Sequence, residues 1–214
     1  MNKPITPQPN ISDPIHVGPA DEFPPAILDD YFHKRQSWYY QRRGIADLAA
    51  ERDVFDEEGL IVLASDGTEC LGGVRLNTRT PGDIRPFPSE ELLPGLSVRA
   101  SFPALALDNV TVGEMGKLLI AGQERGLPYD NRILLRMALC LLEMNRQGPQ
   151  AHFAFLSTRT RALRIYRQIA RITRLPFETY TVPEYLRPEK LDALGDIALQ
   201  IYQLPIEESG ETNQ

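Results

Sequence analysis

The sequence has few of the residues that build disulfide frameworks or metal sites. Its 214 residues include only two cysteines and three histidines, and none of these stands in a cluster with metal-ligand spacing. Cys70 and Cys140 both lie in apolar segments, which favours a reduced, cytoplasmic protein. We therefore expect no metal site and no disulfides.

Long hydrophobic runs are also absent. The longest, Met137 to Leu142, is far shorter than the roughly 20 residues that span a bilayer. The first residues contain no apolar stretch typical of a secretory signal. The formal net charge of -6 argues against general nucleic-acid binding. We expect a cytoplasmic protein with no transmembrane segment and no nucleic-acid partner.

Proline is distributed unevenly along the chain. Seven of the 18 prolines lie in residues 1–25, which show no hydrophobic periodicity, whereas residues 206–214 are polar and acidic. These features predict a flexible arm over 1–25, a single folded domain over 26–205 and an acidic tail over 206–214.

Hydrophobic periodicity predicts a mixed order of helices and strands in the folded part. Helices are expected over 27–42, 131–146 and 160–172. Strands are expected over 60–64, 70–77, 111–120, 151–156, 177–182 and 197–204, with a loop over 78–102. Asp66-Gly67 is a favoured hairpin turn between the first two strands. The order lacks the regular alternation of a doubly wound sheet and predicts an α/β fold with a mixed sheet.

Several short motifs follow one another between residues 30 and 170. They are Arg35 with Tyr39, Asp53-x-x-Asp56, the segment 72–78 containing Arg75, the Phe-Pro segment 87–96, and the segment 114–118. Their order and spacing resemble those of the acyl-homoserine lactone (autoinducer) synthases and the related N-acyl amino acid synthases. The resemblance implies the GNAT acyltransferase fold, in which two neighbouring strands, here 111–120 and 151–157, splay apart around a thioester arm.

The sequence departs from the family pattern at three points. Gly116-Lys117 replaces the family's Ser-Arg pair, the Trp expected a few residues after Tyr39 is absent, and the proline of the segment 72–78 is missing. The first two departures bear on the product. The resemblance therefore implies an N-acyltransferase and leaves an acyl-homoserine lactone and an N-acyl amino acid or amine equally open as products.

The resemblance also implies roles for individual residues. Glu114 would be the base that deprotonates an acceptor amine, and Tyr166 the acid that protonates the leaving thiolate. Residues expected to bind the acceptor are Arg35, Asp53, Asp56, Arg75 and Lys117. The alternatives are structural: Glu114 on a surface ladder, Tyr166 in the core, the two aspartates in an acidic turn, and the arginines as their ion-pair partners.

The acyl donor is suggested by two further segments. The loop containing Gln123, Arg125 and Gly126 resembles the loop that binds the pyrophosphate of coenzyme A, although Pro128 replaces its last small residue. Ser157 and Thr158 end a splayed strand and would contact the acyl chain or the thioester arm. Six arginines fall within residues 159–174 without an acid among them.

This arginine-rich segment favours acyl carrier protein over acyl-CoA, because a basic helix face steers an acidic partner. The residues expected to bind the carrier are Arg159, Arg161, Arg164 and Arg167. The alternative is a solvated helix face. Acyl-ACP or acyl-CoA would be a co-substrate, and we expect no tightly bound cofactor. An acetyl-CoA-dependent GNAT enzyme and a non-catalytic GNAT-like binding module remain the alternative functions.

Overall fold

The described residues of the protein form a seven-stranded mixed sheet with helices packed beside it. The computed structural model describes residues 15–43, 52–120, 151–157, 176–189 and 196–203, together with positions 167, 171 and 174. The strands are β1 (Ile15–Gly18), β2 (Leu60–Ser65), β3 (Cys70–Arg79), β4 (Val112–Ile120), β5 (Ala151–Ser157), β6 (Phe177–Thr181) and β7 (Ile197–Gln203). Their order in the sheet is β1-β2-β3-β4-β5-β7-β6. Among these described strands, only β4 and β5 pair in parallel, and the mixed sheet confirms the predicted fold class.

The helices in the described residues pack beside the sheet or within the connection between β3 and β4. They are α1 (Pro25–Arg43), α2 (Val54–Glu58), α3 (Pro88–Leu92) and α4 (Val98–Ser101). None of the helices in this part of the chain is long and apolar enough to cross a membrane. The helices predicted over 131–146 and 160–172 lie almost entirely outside the described residues.

The expected loop over 78–102 is wrong where α3 and α4 form. Pro88 occupies the first turn of α3, and the Glu90 side chain accepts a hydrogen bond from the Phe87 N–H at 2.8 Å. Ser97 caps α4 by accepting a hydrogen bond from the Ala100 N–H. Proline at the first helical position and serine at the N-cap are ordinary helix starts, which the high proline content of this segment obscured.

The folded part begins earlier in the chain than the proline content suggested. Residues 15–18 form β1, which pairs antiparallel with β2 from Ile15–Ala64 to Gly18–Ile61. A 3₁₀ turn at residues 20–22 follows. The expectation of a flexible arm is therefore wrong for residues 15–25, because strand pairing through the backbone does not require the hydrophobic periodicity that this segment lacks.

Two hydrophobic clusters lie on one face of the sheet, with polar residues between them. One cluster joins α1 to β2, β3 and β4, and its members include Tyr31, Phe32, Ile61 and Leu119. The other joins the 87–107 segment to β4 and β7, and its members include Phe87, Val112 and Leu199. Alternation along a strand places Arg75 and Asn77 of β3 and Glu114 and Gly116 of β4 on this same face. The polar residues that the sequence singled out are thus enclosed by apolar packing on both sides.

Candidate active site

A buried ion pair connects α1 to α2. Arg35 donates from Nη1 to Asp56 Oδ1 at 2.8 Å and from Nη2 to Asp56 Oδ2 at 2.7 Å. Both residues have no exposed surface. Burial alone raises the pKa of Asp56, but the hydrogen bonds and the charge of Arg35 outweigh it and hold that pKa below its usual value. Two parallel hydrogen bonds of this kind also define the orientation of the carboxylate.

Arg75 on β3 extends this pair into a cluster. Its Nη1 donates to Asp53 Oδ1 at 2.5 Å and to Asp56 Oδ1 at 3.2 Å. Asp53 is the most accessible carboxylate of the cluster, because about a quarter of its side chain (26%) is exposed. The four residues therefore form one continuous network that reaches from a closed interior to a partly open edge.

The Asp53-x-x-Asp56 spacing has a second, local effect. Asp53 Oδ1 accepts a hydrogen bond from the Asp56 N–H at 3.1 Å, and Asp56 Oδ2 accepts one from the Asp53 N–H at 3.0 Å. This reciprocal arrangement is a capping box at the start of α2. The pair thus begins a short helix, so the structural alternative of an acidic turn before β2 is wrong.

Two aromatic rings of α1 pack against the guanidinium group of Arg35. The Arg35 guanidinium lies over Phe32 and Tyr31, at 4.7 and 5.4 Å from the ring centroids. The Tyr31 ring reaches the sheet at Gly73, where the Cβ atom of any larger residue would come within 2.7 Å of Tyr31 Cε2. Glycine at this position therefore allows α1 to approach β3 closely enough for Arg35 to reach Asp56.

Glu114 lies beside the arginine–aspartate cluster on β4. It is 3% exposed, so a place on a surface ladder is excluded. Its Oε2 accepts hydrogen bonds from the Ser89 N–H at 3.1 Å and from the Ser89 hydroxyl at 3.0 Å. Among the residues described, none donates a hydrogen bond to Oε1.

The pKa of Glu114 is raised to about 7. Burial is the main cause, since it disfavours the charged carboxylate. The hydrogen bonds from Ser89 and the charge of Arg75 act in the opposite direction, whereas the charge of Glu90 adds to the rise. A buried carboxylate with a pKa near 7 can accept or release a proton at neutral pH.

A β-bulge follows Glu114 along the strand. Gly116 pairs with Arg75 and Leu119 pairs with Gly73, so Lys117 and Leu118 lie opposite the single residue Val74. Lys117 takes the left-handed conformation with a φ of 54°. The carbonyl of this strained residue accepts a hydrogen bond from the Tyr31 hydroxyl at 3.1 Å. The extra residue moves the following side chains to the opposite face, which returns Leu119 to the core beneath α1.

Lys117 belongs electrostatically to the same cluster. Its pKa is lowered to about 8, chiefly by burial and then by the neighbouring charges of Arg35 and Arg75. Asp53 and Asp56 act in the opposite direction. A third cation therefore lies close to two arginines and two aspartates, which is an arrangement that favours an added anionic group such as a substrate carboxylate.

The bulge coincides with the end of pairing between the parallel strands. The register of β4 and β5 runs from Val112–Ala151 to Met115–Ala154. Both strands continue, β4 to Ile120 and β5 to Ser157. The pairing therefore stops after Met115, one residue beyond Glu114, in the strands where the resemblance implied a splay.

At the site, Arg75 Nε and Asn77 Oδ1 are buried polar atoms without a hydrogen-bond partner in the part of the chain that the structure describes. The Asn77 amide nitrogen donates to the Phe55 carbonyl at 2.9 Å, which leaves the amide oxygen as the unpaired atom. One donor and one acceptor thus remain for water or a polar ligand.

The structure brings together part of the set of residues expected from the sequence. Arg35, Asp53, Asp56 and Arg75 form one network, with Glu114 and Lys117 beside it. Ser157 is the last residue of β5, and Arg167 is exposed. The other expected residues lie outside the described residues: Gln123, Arg125, Gly126, Thr158, Arg159, Arg161, Arg164 and Tyr166. Across the described segments, no group of three or more metal-ligating side chains is present.

Sequence reasoning missed the residues that support the network. Tyr31 precedes Arg35 by one helical turn, so an i, i+4 pattern of an aromatic and a cation was available in the sequence. Ser89 contacts Glu114 from 25 positions away, and no local pattern indicates that contact.

Several solved structures of other proteins are similar to this chain. The CoA-dependent acyl-homoserine lactone synthase MesI matches with a TM-score of 0.58 and 20% identity, over 91% of this chain and 90% of that chain. BjaI, a CoA-dependent acyl-homoserine lactone synthase with SAM and isopentyl-CoA, matches with a TM-score of 0.58 and 17% identity, over 89% and 83%. A putative arylalkylamine N-acetyltransferase 7 from the yellow fever mosquito matches with a TM-score of 0.54 and 13% identity, over 89% and 86%.

These similarities define the class of fold. The chain has the GNAT-type fold shared by acyl-homoserine lactone synthases and N-acyltransferases, and the fold expected from the resemblance is confirmed. No protein-family profile and no curated protein sequence matches the chain. At identities of 20% or less, the similarity establishes the fold alone.

Proposed function

We propose that this protein is an N-acyltransferase that moves an acyl group from a thioester to the amine of a small, amino-acid-derived acceptor. The observation that carries the proposal is the position of Glu114. This buried carboxylate, with a pKa of about 7, lies one residue before the last β4–β5 pair and beside a cluster of charged side chains. Perturbed carboxylates in such positions are typical of general bases.

The reaction needs a base at this point. Glu114 Oε1 takes a proton from the acceptor amine, directly or through water, and the nitrogen attacks the thioester carbonyl. The carbon–sulfur bond then breaks, the amide forms, and the thiolate leaves and takes up a proton, for which Tyr166 is the proposed donor. Backbone N–H groups beyond the last β4–β5 pair would stabilise the oxyanion. General-base assistance typically contributes about 10²–10⁴-fold to the rate.

The charged cluster is the proposed acceptor site. Asp53 offers a partly exposed carboxylate to an ammonium or amino group, and Lys117 adds a cation for a carboxylate. An acceptor that carries both groups, either an amino acid or S-adenosylmethionine, fits this chemistry. With S-adenosylmethionine the carboxylate of the acylated product would attack the carbon bonded to the sulfonium, release methylthioadenosine and close to an acyl-homoserine lactone.

Acyl carrier protein is the proposed acyl donor, with acyl-CoA as the alternative. The arginine-rich segment 159–174 supports the carrier, and Arg167, Arg171 and Arg174 are exposed. The names of MesI and BjaI describe CoA-dependent enzymes, so both donors need testing. Charge reversal of Arg161, Arg164 and Arg167 to Glu should raise KM for acyl-ACP in a salt-dependent way and leave KM for acyl-CoA unchanged. An equal KM for acyl-ACP before and after reversal would refute the carrier assignment.

The test of the whole proposal is a comparison of products. Lipid extracts of cells expressing the wild type or Glu114→Ala are compared by mass spectrometry, after urea denaturation has shown that both proteins fold. An acylated amine or lactone found only with the wild type would support the proposal and identify both substrates. Identical extracts would contradict it. An acetyl-CoA assay with purified protein would then separate an acetyltransferase, as in the mosquito enzyme's name, from a non-catalytic module.

A further inference from the structure

The helix α3 contacts Glu114 through Ser89. Ser89 is the second residue of α3 and is 2% exposed. Both of its donors, the backbone N–H and the hydroxyl, bind the same carboxylate oxygen, Oε2. Two donors on one oxygen restrict rotation of the carboxylate and direct its other oxygen away from α3.

The short helix that carries Ser89 is itself held firmly. Glu90 accepts a hydrogen bond from the Phe87 N–H through Oε2 and another from the Val98 N–H through Oε1, each at 2.8 Å. Phe87 is 2% exposed and belongs to the core beside β4 and β7. Glu90 therefore links the starts of α3 and α4. Its hydrogen bonds hold the backbone at Ser89 in place.

We propose that Ser89 is a positioning residue for the general base: its two hydrogen bonds hold Glu114 so that Oε1 faces the acceptor, and they favour the ionised carboxylate. This inference rests on the proposed N-acyltransferase function for its catalytic consequence. Its structural part, control of the ionisation of Glu114 by Ser89, holds independently of the reaction.

The direction of the effect follows from the chemistry of the contact. A hydroxyl donor binds an ionised carboxylate more strongly than a neutral one, so its removal disfavours ionisation. Among the described residues, the other charged groups that act on Glu114 are Arg75 on β3, which favours ionisation, and Glu90 on α3, which opposes it. The partner of Glu114 on β5 is Phe153, which has no charge. With these neighbours unchanged, Ser89→Ala should raise the pKa of Glu114 by about one pH unit.

Carbon-13 carboxyl NMR on the full chain measures the ionisation of Glu114 directly. The Glu114→Gln variant assigns the signal. In Ser89→Ala the titration midpoint should move upward by about one pH unit, and Ser89→Thr, which keeps the hydroxyl, should restore the wild-type midpoint. Ser97→Ala is the matched control, because Ser97 caps the neighbouring α4 and does not touch Glu114. A midpoint in Ser89→Ala equal to that of the wild type would overturn the inference.

The rate profile provides a second readout. The acidic limb of kcat/KM against pH should shift upward with the NMR midpoint, so the loss of activity in Ser89→Ala should be largest below pH 7 and shrink towards pH 9. A loss that is constant across this range would indicate structural damage and overturn the positioning role. If the wild type transfers no acyl group at any pH while the NMR midpoint shifts as expected, the proposed function fails and the control of Glu114 by Ser89 stands.

Discussion

Replacing Glu114 by a neutral residue should raise the free energy of unfolding at neutral pH and lower the rate of acyl transfer. The pKa of Glu114 in the folded protein is about 7, against an ordinary value of 4.5. The difference of about 2.5 units corresponds to roughly 3 kcal/mol, at about 1.36 kcal/mol per unit. Glu114→Gln keeps an amide oxygen that can accept the hydrogen bonds of Ser89 but carries no charge at any pH.

The sign of the effect follows from proton uptake. Below pH 4.5 Glu114 is protonated in both the folded and the unfolded chain. Between pH 4.5 and 7 the unfolded chain has lost this proton while the folded protein retains it, so the free energy of unfolding of the wild type falls. Glu114→Gln has no such loss, and its stability relative to the wild type should rise by roughly 3 kcal/mol across this interval and then level off.

Urea denaturation from pH 4.5 to 8.5 measures this difference, because contributions from other groups cancel between the two proteins. Glu178→Gln is the control, since Glu178 is an exposed carboxylate on β6 and its neutralisation should not reproduce the gain. In the same variant of Glu114, acyl transfer should fall by about 10²–10⁴-fold. A stability difference that stays constant with pH would refute the assignment of a buried carboxylate that resists ionisation.

Three further changes test the surrounding network. Asp56→Asn leaves Arg35 without its buried counter-charge, so the free energy of unfolding should fall by about 3–5 kcal/mol; a loss below about 1 kcal/mol in urea denaturation would contradict the pairing. Gly73→Ala would bring a Cβ atom within 2.7 Å of the Tyr31 ring, so Tm should fall, and an unchanged Tm would show that α1 packs less closely against β3. The pKa of Lys117 is about 8, so this side chain loses its charge above that pH. An arginine at the same position would keep its positive charge. KM for a carboxylate-bearing acceptor should therefore rise above pH 8 in the wild type and stay level in Lys117→Arg, and parallel profiles would exclude Lys117 from the acceptor site.

Backbone periodicity and turn chemistry were readable from the sequence because they depend on neighbouring residues. The strands β2 to β7 begin and end close to the predicted positions. The predicted hairpin forms over the four residues 66–69, with Gly67 at a φ of 90°. The pairing of Arg35 and Arg75 with the two aspartates was also foreseeable, since buried arginines need anionic partners. The strand β1 was not foreseeable from the sequence, because it pairs with β2, about 45 positions further along the chain.

The properties of Glu114 were decided by tertiary structure. Its residue type and its place on a strand are visible in the sequence, but its pKa depends on burial between two hydrophobic clusters and on Ser89, a contact across 25 positions. The bulge at Lys117 likewise follows from the pairing of β4 with β3. The order of amino acids specifies which charged groups are present and which elements carry them. Only the packing of α1, α2 and α3 onto one face of the sheet determined which of those groups meet, because desolvation and hydrogen bonding act through distances that local spacing does not define.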